Sequence, residues 1–286
     1  MFKRQTSGSV VCISCGSLVG VNDDRCYTCG QRNPGLWGYA PLIRNLGRDV
    51  GFTSLVIGAS VALYVISLLL SGPNIRMGDM MSFLAPSLQA LYLLGASGAI
   101  PVVLGGAWWT VLSAGWLHGG LIHILFNVLW IRNLAPSTAD AFGPGRMIII
   151  YVVAGACGFF LSSMAGYFLA GMPVWFLRGS DFTVGASASI FGLLGALMCY
   201  GRRTGSSMIH REAKLYAVML FIFGLIMPGV DNYAHAGGFI GGYVMADLLK
   251  PLEPERVTHV LVALCLLVAT ALAILASVIA GLRVLG

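Results

Sequence analysis

The chain has 286 residues, 57% of them hydrophobic and 10% charged, with a mean hydropathy of +0.84. A soluble domain carries about 25% charged residues, so this composition excludes an ordinary soluble globule and indicates a membrane protein. The net charge of +6 does not call for a nucleic-acid partner, because most basic residues flank apolar segments, where they orient helices and meet anionic lipid headgroups.

Residues 1–50 are polar and hold four of the seven cysteines, and the first long apolar run begins near Gly51, so no cleavable signal peptide is expected. Cys12-Ile-Ser-Cys15-Gly and Cys26-Tyr-Thr-Cys29-Gly are two knuckles with ten residues between Cys15 and Cys26. Four thiolates paired this way suit tetrahedral Zn²⁺, and the glycine after each pair permits a tight turn around the metal. Disulfides or a redox CxxC are the alternatives. A cytoplasmic placement disfavours the first, and two knuckles exceed what the second needs. Cys157, Cys199 and Cys265 are scattered through apolar spans and are read as packing residues. The expected division is a zinc ribbon over 1–35, a juxtamembrane linker over 36–50, a six-helix bundle over 51–250 and a seventh transmembrane helix within 251–286.

Spans are expected near Phe52–Leu70, Trp116–Ile131, Met147–Leu169, Val184–Tyr200, Leu215–Pro228, Tyr233–Leu249 and Val260–Leu282. The apolar stretch Met81–Trp109 contains Pro86, Pro101 and a Gly/Ala-rich middle, which argue against a continuous helix. With seven spans and a cytoplasmic N-terminus, all but Arg76, Arg178 and Arg283 of the 17 Lys and Arg lie inside. An eighth span before Trp116 would break that bias, so Met81–Trp109 is expected as an external, partly embedded loop. The expected fold class is therefore an all-α polytopic membrane protein.

Small residues line the fourth span at Gly185, Ala188, Gly192, Gly195 and Ala196, and the sixth at Gly237, Gly238, Gly241 and Gly242. In lipid, close backbone contact replaces the hydrophobic drive between helices, so these two spans are expected to touch. Ser187 and His235 each lie about three residues, or ~5 Å of helix rise, inside the start of those spans. Equal depth allows the imidazole to take the hydroxyl proton as the oxygen attacks a carbonyl. His123 and Asn127, four apart on the second span, share a face and are candidate donors to an oxyanion, with the Ser187 N–H as a further one. Polar groups inside a span are costly unless paired, so this grouping calls for a function. A lone serine or histidine would be structural more often than not; their combination at one depth argues otherwise. No Asp or Glu sits within the sixth span to orient His235, and Asp231 lies just before it, so a Ser-His dyad fits and a triad does not.

The stretches Trp108–Asn127 (WWTVLSAGWLHGGLIHILFN), Gly185–Gly192 (GASASIFG) and Ala234–Gly242 (AHAGGFIGG) together resemble the rhomboid family of intramembrane serine proteases, in the family's order. The resemblance covers about Gly51–Leu249, with the last span as an added seventh helix. It implies Ser187 as nucleophile, His235 as general base, and His123 and Asn127 at the oxyanion site. It also implies His118 in an outer pocket, Phe191 as an aromatic packed on the catalytic imidazole, and no cofactor for catalysis. Two departures stand out. Ala188 follows the serine where many members carry Gly, and Thr110 follows Trp108-Trp109 where the family often carries an Arg that organises the external loop. The N-terminal knuckles resemble small zinc ribbons fused to bacterial membrane proteins.

The expected function is hydrolysis of peptide bonds in or near transmembrane helices of membrane-protein substrates, in a bacterial plasma membrane with the N-terminus cytoplasmic. The expected partners are those substrates, the lipid bilayer and a cytoplasmic partner of the ribbon, but no nucleic acid. A helix hides its carbonyls in its own hydrogen bonds, so cleavable substrates are expected to carry helix-weakening Gly or Pro. Three rivals are weighed. A catalytically inactive rhomboid-like protein binding membrane clients would be free to lose Ser187, His235, His123 or Asn127. A transporter would show repeated halves and broken helices at the midplane. A nucleic-acid module would need denser Lys/Arg than the ribbon has.

Overall fold

The computed structural model describes residues 4–41, 51–78, 82–174 and 177–285. Strands β1 (Ser9–Val11) and β2 (Leu18–Gly20) pair antiparallel, with Val10 opposite Val19. The first knuckle closes the turn between them, Cys12 N donating to Ser17 O at 2.8 Å and Gly16 N to Cys12 O at 3.1 Å. The second repeats the closure, with Gly30 N donating to Cys26 O at 2.8 Å. Gly16 and Gly30 have φ of 77° and 73°, the left-handed region that the expected tight turns require. Of the linker read over 36–50, residues 42–50 lie outside the described residues.

Helix α1 (Phe52–Ser71) buries Phe52, Val56, Ser60, Tyr64, Ser67 and Ser71, a stripe at spacings of three and four. Leu55, Leu69 and Leu70 point away from it and are exposed, as lipid-facing residues are. The Met81–Trp109 stretch forms no spanning helix among its described residues. It breaks into α2 (Leu88–Leu94), a wide helical turn over Ala99–Leu104, and then α3 (Thr110–Ser113). Seven residues of helix rise about 10 Å, a third of the ~30 Å hydrocarbon core.

The second span differs from its expected bounds. Helix α4 (Leu121–Phe142) starts after His118-Gly119-Gly120 and runs past Arg132, and a 93° bend separates it from Thr110–Trp116. The extended backbone at Leu117 and Gly120 stops helix from continuing through the bend. Arg132 is exposed, so the helix carries on beyond the apolar window that bounded the sequence reading. The remaining helices are α5 (Pro144–Phe168), α6 (Ser187–Thr204), α7 (Ser207–Ile226), α8 (Asn232–Leu248) and α9 (Val257–Leu285). Helix α7 begins well before the expected Leu215 because Ser206 caps it, its hydroxyl accepting from Ile209 N.

Helices α1, α5 and α9 are long and apolar enough to cross a membrane alone, and α4 joins them if its bent partner is counted. Burial separates them: 61% of the apolar window of α5 is buried, against 28% for α1 and 22% for α9. Helix α5 is thus the central post of the bundle. Helices α6 and α8, of 18 and 17 residues, rise about 27 and 25 Å and fall short of the hydrocarbon core. Each therefore begins beneath one membrane face when its other end reaches the opposite face.

The expected contact between the two glycine-bearing helices is present. A Cβ on Gly238 would lie 2.1 Å from Ala188 O, and one on Gly242 2.1 Å from Gly192 O. On α5, a Cβ at Gly158 would lie 2.5 Å from Ala234 O, so three backbones meet where Ser187 and His235 begin their helices. At the other end of the same helices, Arg203 Nη2 holds Asp247 Oδ1 at 2.5 Å, tying α6 to α8. Beyond that end, the Glu255 carboxylate accepts from Arg146 N at 2.7 Å, and Ser14 Oγ in the first knuckle reaches Glu255 O at 3.5 Å. The ribbon thus lies at the end of the bundle away from Ser187.

Candidate active site

Ser187 is the first residue of α6 rather than the fourth of a longer span, because Val184–Ala186 is not helical. The first N–H groups of a helix have no intrahelical acceptor, so the Ser187 amide is an open donor. His235 is the fourth residue of α8, whose start is fixed by Asp231: its Oδ1 accepts from Ala234 N at 3.0 Å. The other oxygen of Asp231 accepts from Ser162 Oγ on α5. Phe191, one turn after Ser187, stacks on the His235 ring with centroids 4.2 Å apart and planes at 16°.

Ser187 and His235 both line a cavity of about 540 Å³, together with His123 and Asn127 of α4. No hydrogen bond joins Ser187 to His235 among the described contacts. Nucleophile–base contacts are often loose without substrate and tighten in the complex. Ser189, two residues on, does not line the cavity; it points at α5, where a Cβ on Gly155 would lie 2.5 Å from its Oγ.

His123 Nδ1 accepts from Gly119 N at 3.3 Å, which leaves Nε2 as the protonated donor of the neutral ring. That nitrogen faces Gly185, where a Cβ would lie 2.6 Å away. With φ of 131°, Gly185 meets both demands of its position, an unusual backbone and an approach to the imidazole that no side chain would allow. Asn127 Nδ2 is buried with no acceptor. A buried amide donor left open costs free energy unless something else occupies the space in front of it. His118 is placed differently. It is 1% exposed, its ring packs edge-on against His123 with centroids 5.2 Å apart, and it does not line the cavity.

Asp231 and Arg76 also line the cavity, and the sequence reading assigned neither to it. For Asp231 a signal existed: an Asp three residues ahead of Ala234, just before an apolar run, is an N-cap pattern. Arg76 had none, because only the folding of the loop after α1 brings it there.

At the far end of the molecule, the Sγ atoms of Cys12, Cys15, Cys26 and Cys29 all lie within 4.8 Å of one another. The close pairs run between knuckles, Cys12–Cys29 at 3.8 Å and Cys15–Cys26 at 3.5 Å. Sulfurs on a tetrahedral metal with ~2.3 Å bonds sit about 3.8 Å apart, so the four thiols could hold such an ion. Burial pushes the Cys12 thiol up to about 12, while hydrogen bonds from Ser17 draw Cys15 down to about 6. Hydrogen bonds from the Cys29 and Thr28 backbone lower Cys26 as well.

The class defined by this fold is an all-α integral membrane protein whose short, glycine-packed helices α6 and α8 present a serine and a histidine to one cavity. A family model described as Rhomboid domain matches residues 105–252. RHOMBOID-like protein 4 of Arabidopsis thaliana is 30% identical over 67% of this chain and 50% of its own length. RHOMBOID-like protein 7 of the same plant is 32% identical over 58% of this chain, again half of that protein. Rhomboid protease GluP of Bacillus subtilis (strain 168) is 30% identical over 52% of this chain and 27% of its own length. The chain belongs to the rhomboid family. It spans about half the length of the plant relatives it matches, and the residues the family model matches, 105–252, lie outside the cysteine knuckles.

Proposed function

We propose that the chain is an intramembrane serine endopeptidase that cleaves peptide bonds in or near the transmembrane helices of other membrane proteins. The observation that carries this reading is the set of open donors, Asn127 Nδ2, His123 Nε2 and the Ser187 N–H, gathered at the cavity that Ser187 and His235 line. His235 takes the Ser187 proton as Oγ attacks the scissile carbonyl, and the three donors receive the oxyanion as it forms. The imidazolium then gives its proton to the leaving amine, and water admitted by the cavity hydrolyses the acyl-enzyme. Phe191, stacked flat on His235, keeps the ring in the plane this transfer needs. Asp231 fixes the helix that carries the base and forms no hydrogen bond to its ring, which supports a dyad.

The cavity faces the seam between α4 and α7, where the ring pairs Phe126–Phe223 and Trp130–Tyr216 meet. Side chains that can rotate close this seam, whereas backbone contact through glycine joins α5, α6 and α8. It is the side from which a substrate helix enters. Such a helix must unwind locally to expose a carbonyl, so Gly, Pro and small residues near the cut favour cleavage.

The four N-terminal cysteines hold Zn²⁺ in this reading, which cross-links the two knuckles and leaves the chemistry at Ser187 free of any cofactor. The distribution of Lys and Arg puts the ribbon on the cytoplasmic side and the cavity at the opposite face. The domain limits read from the sequence, 1–35, 36–50, 51–250 and 251–286, are retained with this assignment.

The test is labelling of the detergent-solubilised protein by a fluorophosphonate. Labelling that is lost in Ser187→Ala and His235→Ala and kept in Ser189→Ala is the expected result. Folded wild-type protein that takes no label would overturn the protease reading in favour of a client-binding protein.

A further inference from the structure

Helix α9 lies outside the glycine-packed core and most of its surface faces lipid, yet it makes one specific polar contact with a distant part of the chain. Trp109 Nε1, at the end of the embedded loop, donates to Ser277 Oγ at 3.0 Å across 168 residues. Ser277 is 4% exposed, and its hydroxyl donates in turn to Ala273 O at 2.9 Å. A hydroxyl on a lipid-facing helix needs no such partner to fold, because its own carbonyl one turn back suffices; the indole is an addition.

The surroundings are closely fitted. Gly95 has φ of 102°, and a Cβ there would lie 2.6 Å from Ser277 Oγ and 2.3 Å from Ser113 Oγ. Ser113 Oγ donates to Gly95 O at 2.7 Å. One turn further along α9, a Cβ on Gly281 would lie 2.7 Å from Leu93 Cδ1. Two small residues four apart on α9 thus receive both ends of the α2-to-α3 segment.

That segment leads directly to the nucleophile. Ala114 O, just after α3, accepts from Gly185 N at 3.0 Å, and Gly185 stands two residues before Ser187. Ser97 and Thr183 exchange two backbone hydrogen bonds, at 2.8 and 3.1 Å, pinning the loop to the stretch that precedes α6. Gly185 is also the residue that faces His123 Nε2.

We propose that Trp109 and Ser277 are positioning residues, and that α9 braces the embedded loop so that Gly185 delivers Ser187 and meets His123 in register. The proposal rests on the protease reading above, and it gives the seventh helix a part in catalysis without any contact to substrate.

The experiment compares the rate of fluorophosphonate labelling in full-length wild type, Trp109→Phe, Ser277→Ala and the double variant, reading the final labelled fraction separately. A merely destabilised protein loses labelled fraction; a mispositioned nucleophile loses rate. Each single variant is expected to label about threefold to tenfold more slowly, the reach of one hydrogen bond, with the labelled fraction unchanged. The double variant is expected to be no slower than the singles, since both remove the same contact. A wild-type rate in either single variant, or multiplied losses in the double, overturns the proposal.

A second measurement is independent of activity. In Leu93→Cys/Gly281→Cys the leucine that would crowd a side chain at 281 is gone, and a mild oxidant is expected to join the two cysteines, detected as a linked peptide by mass spectrometry. If wild type takes no label, the protease reading fails and the crosslink alone judges the brace: its formation supports the docking of α9 on the loop, and its absence overturns it.

Discussion

The ribbon and the helical bundle face opposite problems of cohesion. Between residues 9 and 30 the chain buries together only Val10, Cys12, Val19, Val21 and Cys26, a core far too small to hold a fold in water. The bundle has apolar surface in excess, but lipid is as apolar as its side chains, so burial between helices yields little. The ribbon brings four thiols within reach of one ion. The bundle strips side chains from α5, α6 and α8 until their backbones touch at Gly158, Gly192, Gly238 and Gly242. One region gathers the ligands for a cross-link and the other gains cohesion from close approach.

Four measurements bear on this contrast, and the largest effect is expected from metal removal. Structural zinc contributes about 10–16 kcal/mol in small domains, so a chelator should open residues 4–41 to trypsin while the bundle stays intact. Thiolates bind the ion, and Cys12, held at about 12, must give up its proton to do so; metal retention should therefore weaken as pH falls. A ribbon that stays resistant after its metal is gone would erase the distinction.

The next effect is Gly238→Val, whose side chain would meet Ala188 O at 2.1 Å. Backbone cannot yield as a side chain does, so a loss of about 3 kcal/mol or more is expected, read as a lower thermal midpoint in detergent. Gly171→Val, with nothing within 4 Å of its Cβ position, is the control and should leave the midpoint unchanged.

Asn127→Ala sharpens the contrast differently, because it removes an open donor and leaves every backbone contact between the helices in place. Labelling of Ser187 should slow by about 10²- to 10³-fold, with the midpoint unchanged or raised. A normal labelling rate would remove Asn127 from the oxyanion site. The smallest effect belongs to the helix cap. Asp231→Ala should cost about 1 kcal/mol, and Asp231→Asn only a few tenths, since the amide oxygen still accepts from Ala234 N. An Asn variant as damaged as the Ala variant would mean that the charge, rather than the cap, is what α8 needs.

Much of this arrangement was legible in the order of residues. Small residues at helical spacing on two segments, Gly and Ala on one and Gly on the other, announced that α6 and α8 touch, because in lipid little else recruits small residues to a helix face. Ser187 and His235 stood near the starts of those segments, so contact between the helices brought both to one cavity. The paired CxxCG knuckles announced a metal-sized cluster in the same way, through covalent proximity within each pair. The boundaries of α4 and α7 were less legible. Hydropathy marks where lipid ends, whereas a helix ends where its caps are, and Arg132 and Ser206 lie on opposite sides of that distinction.

The sequence carried the elements whose cause is local: turns at Gly16 and Gly30, the broken stretch between Met81 and Trp109, and the places of Ser187 and His235 near the starts of their helices. Folding in three dimensions settled what depends on partners far along the chain. Ser189 faces α5 and Ser187 the cavity, although both are serines of one motif. His118 lies behind His123, although both precede or open the same helix. Trp109 meets Ser277 across 168 residues. No periodicity encodes a pairing of that kind, because the direction of a side chain is set by its own helix, while what it meets is set by how the helices pack.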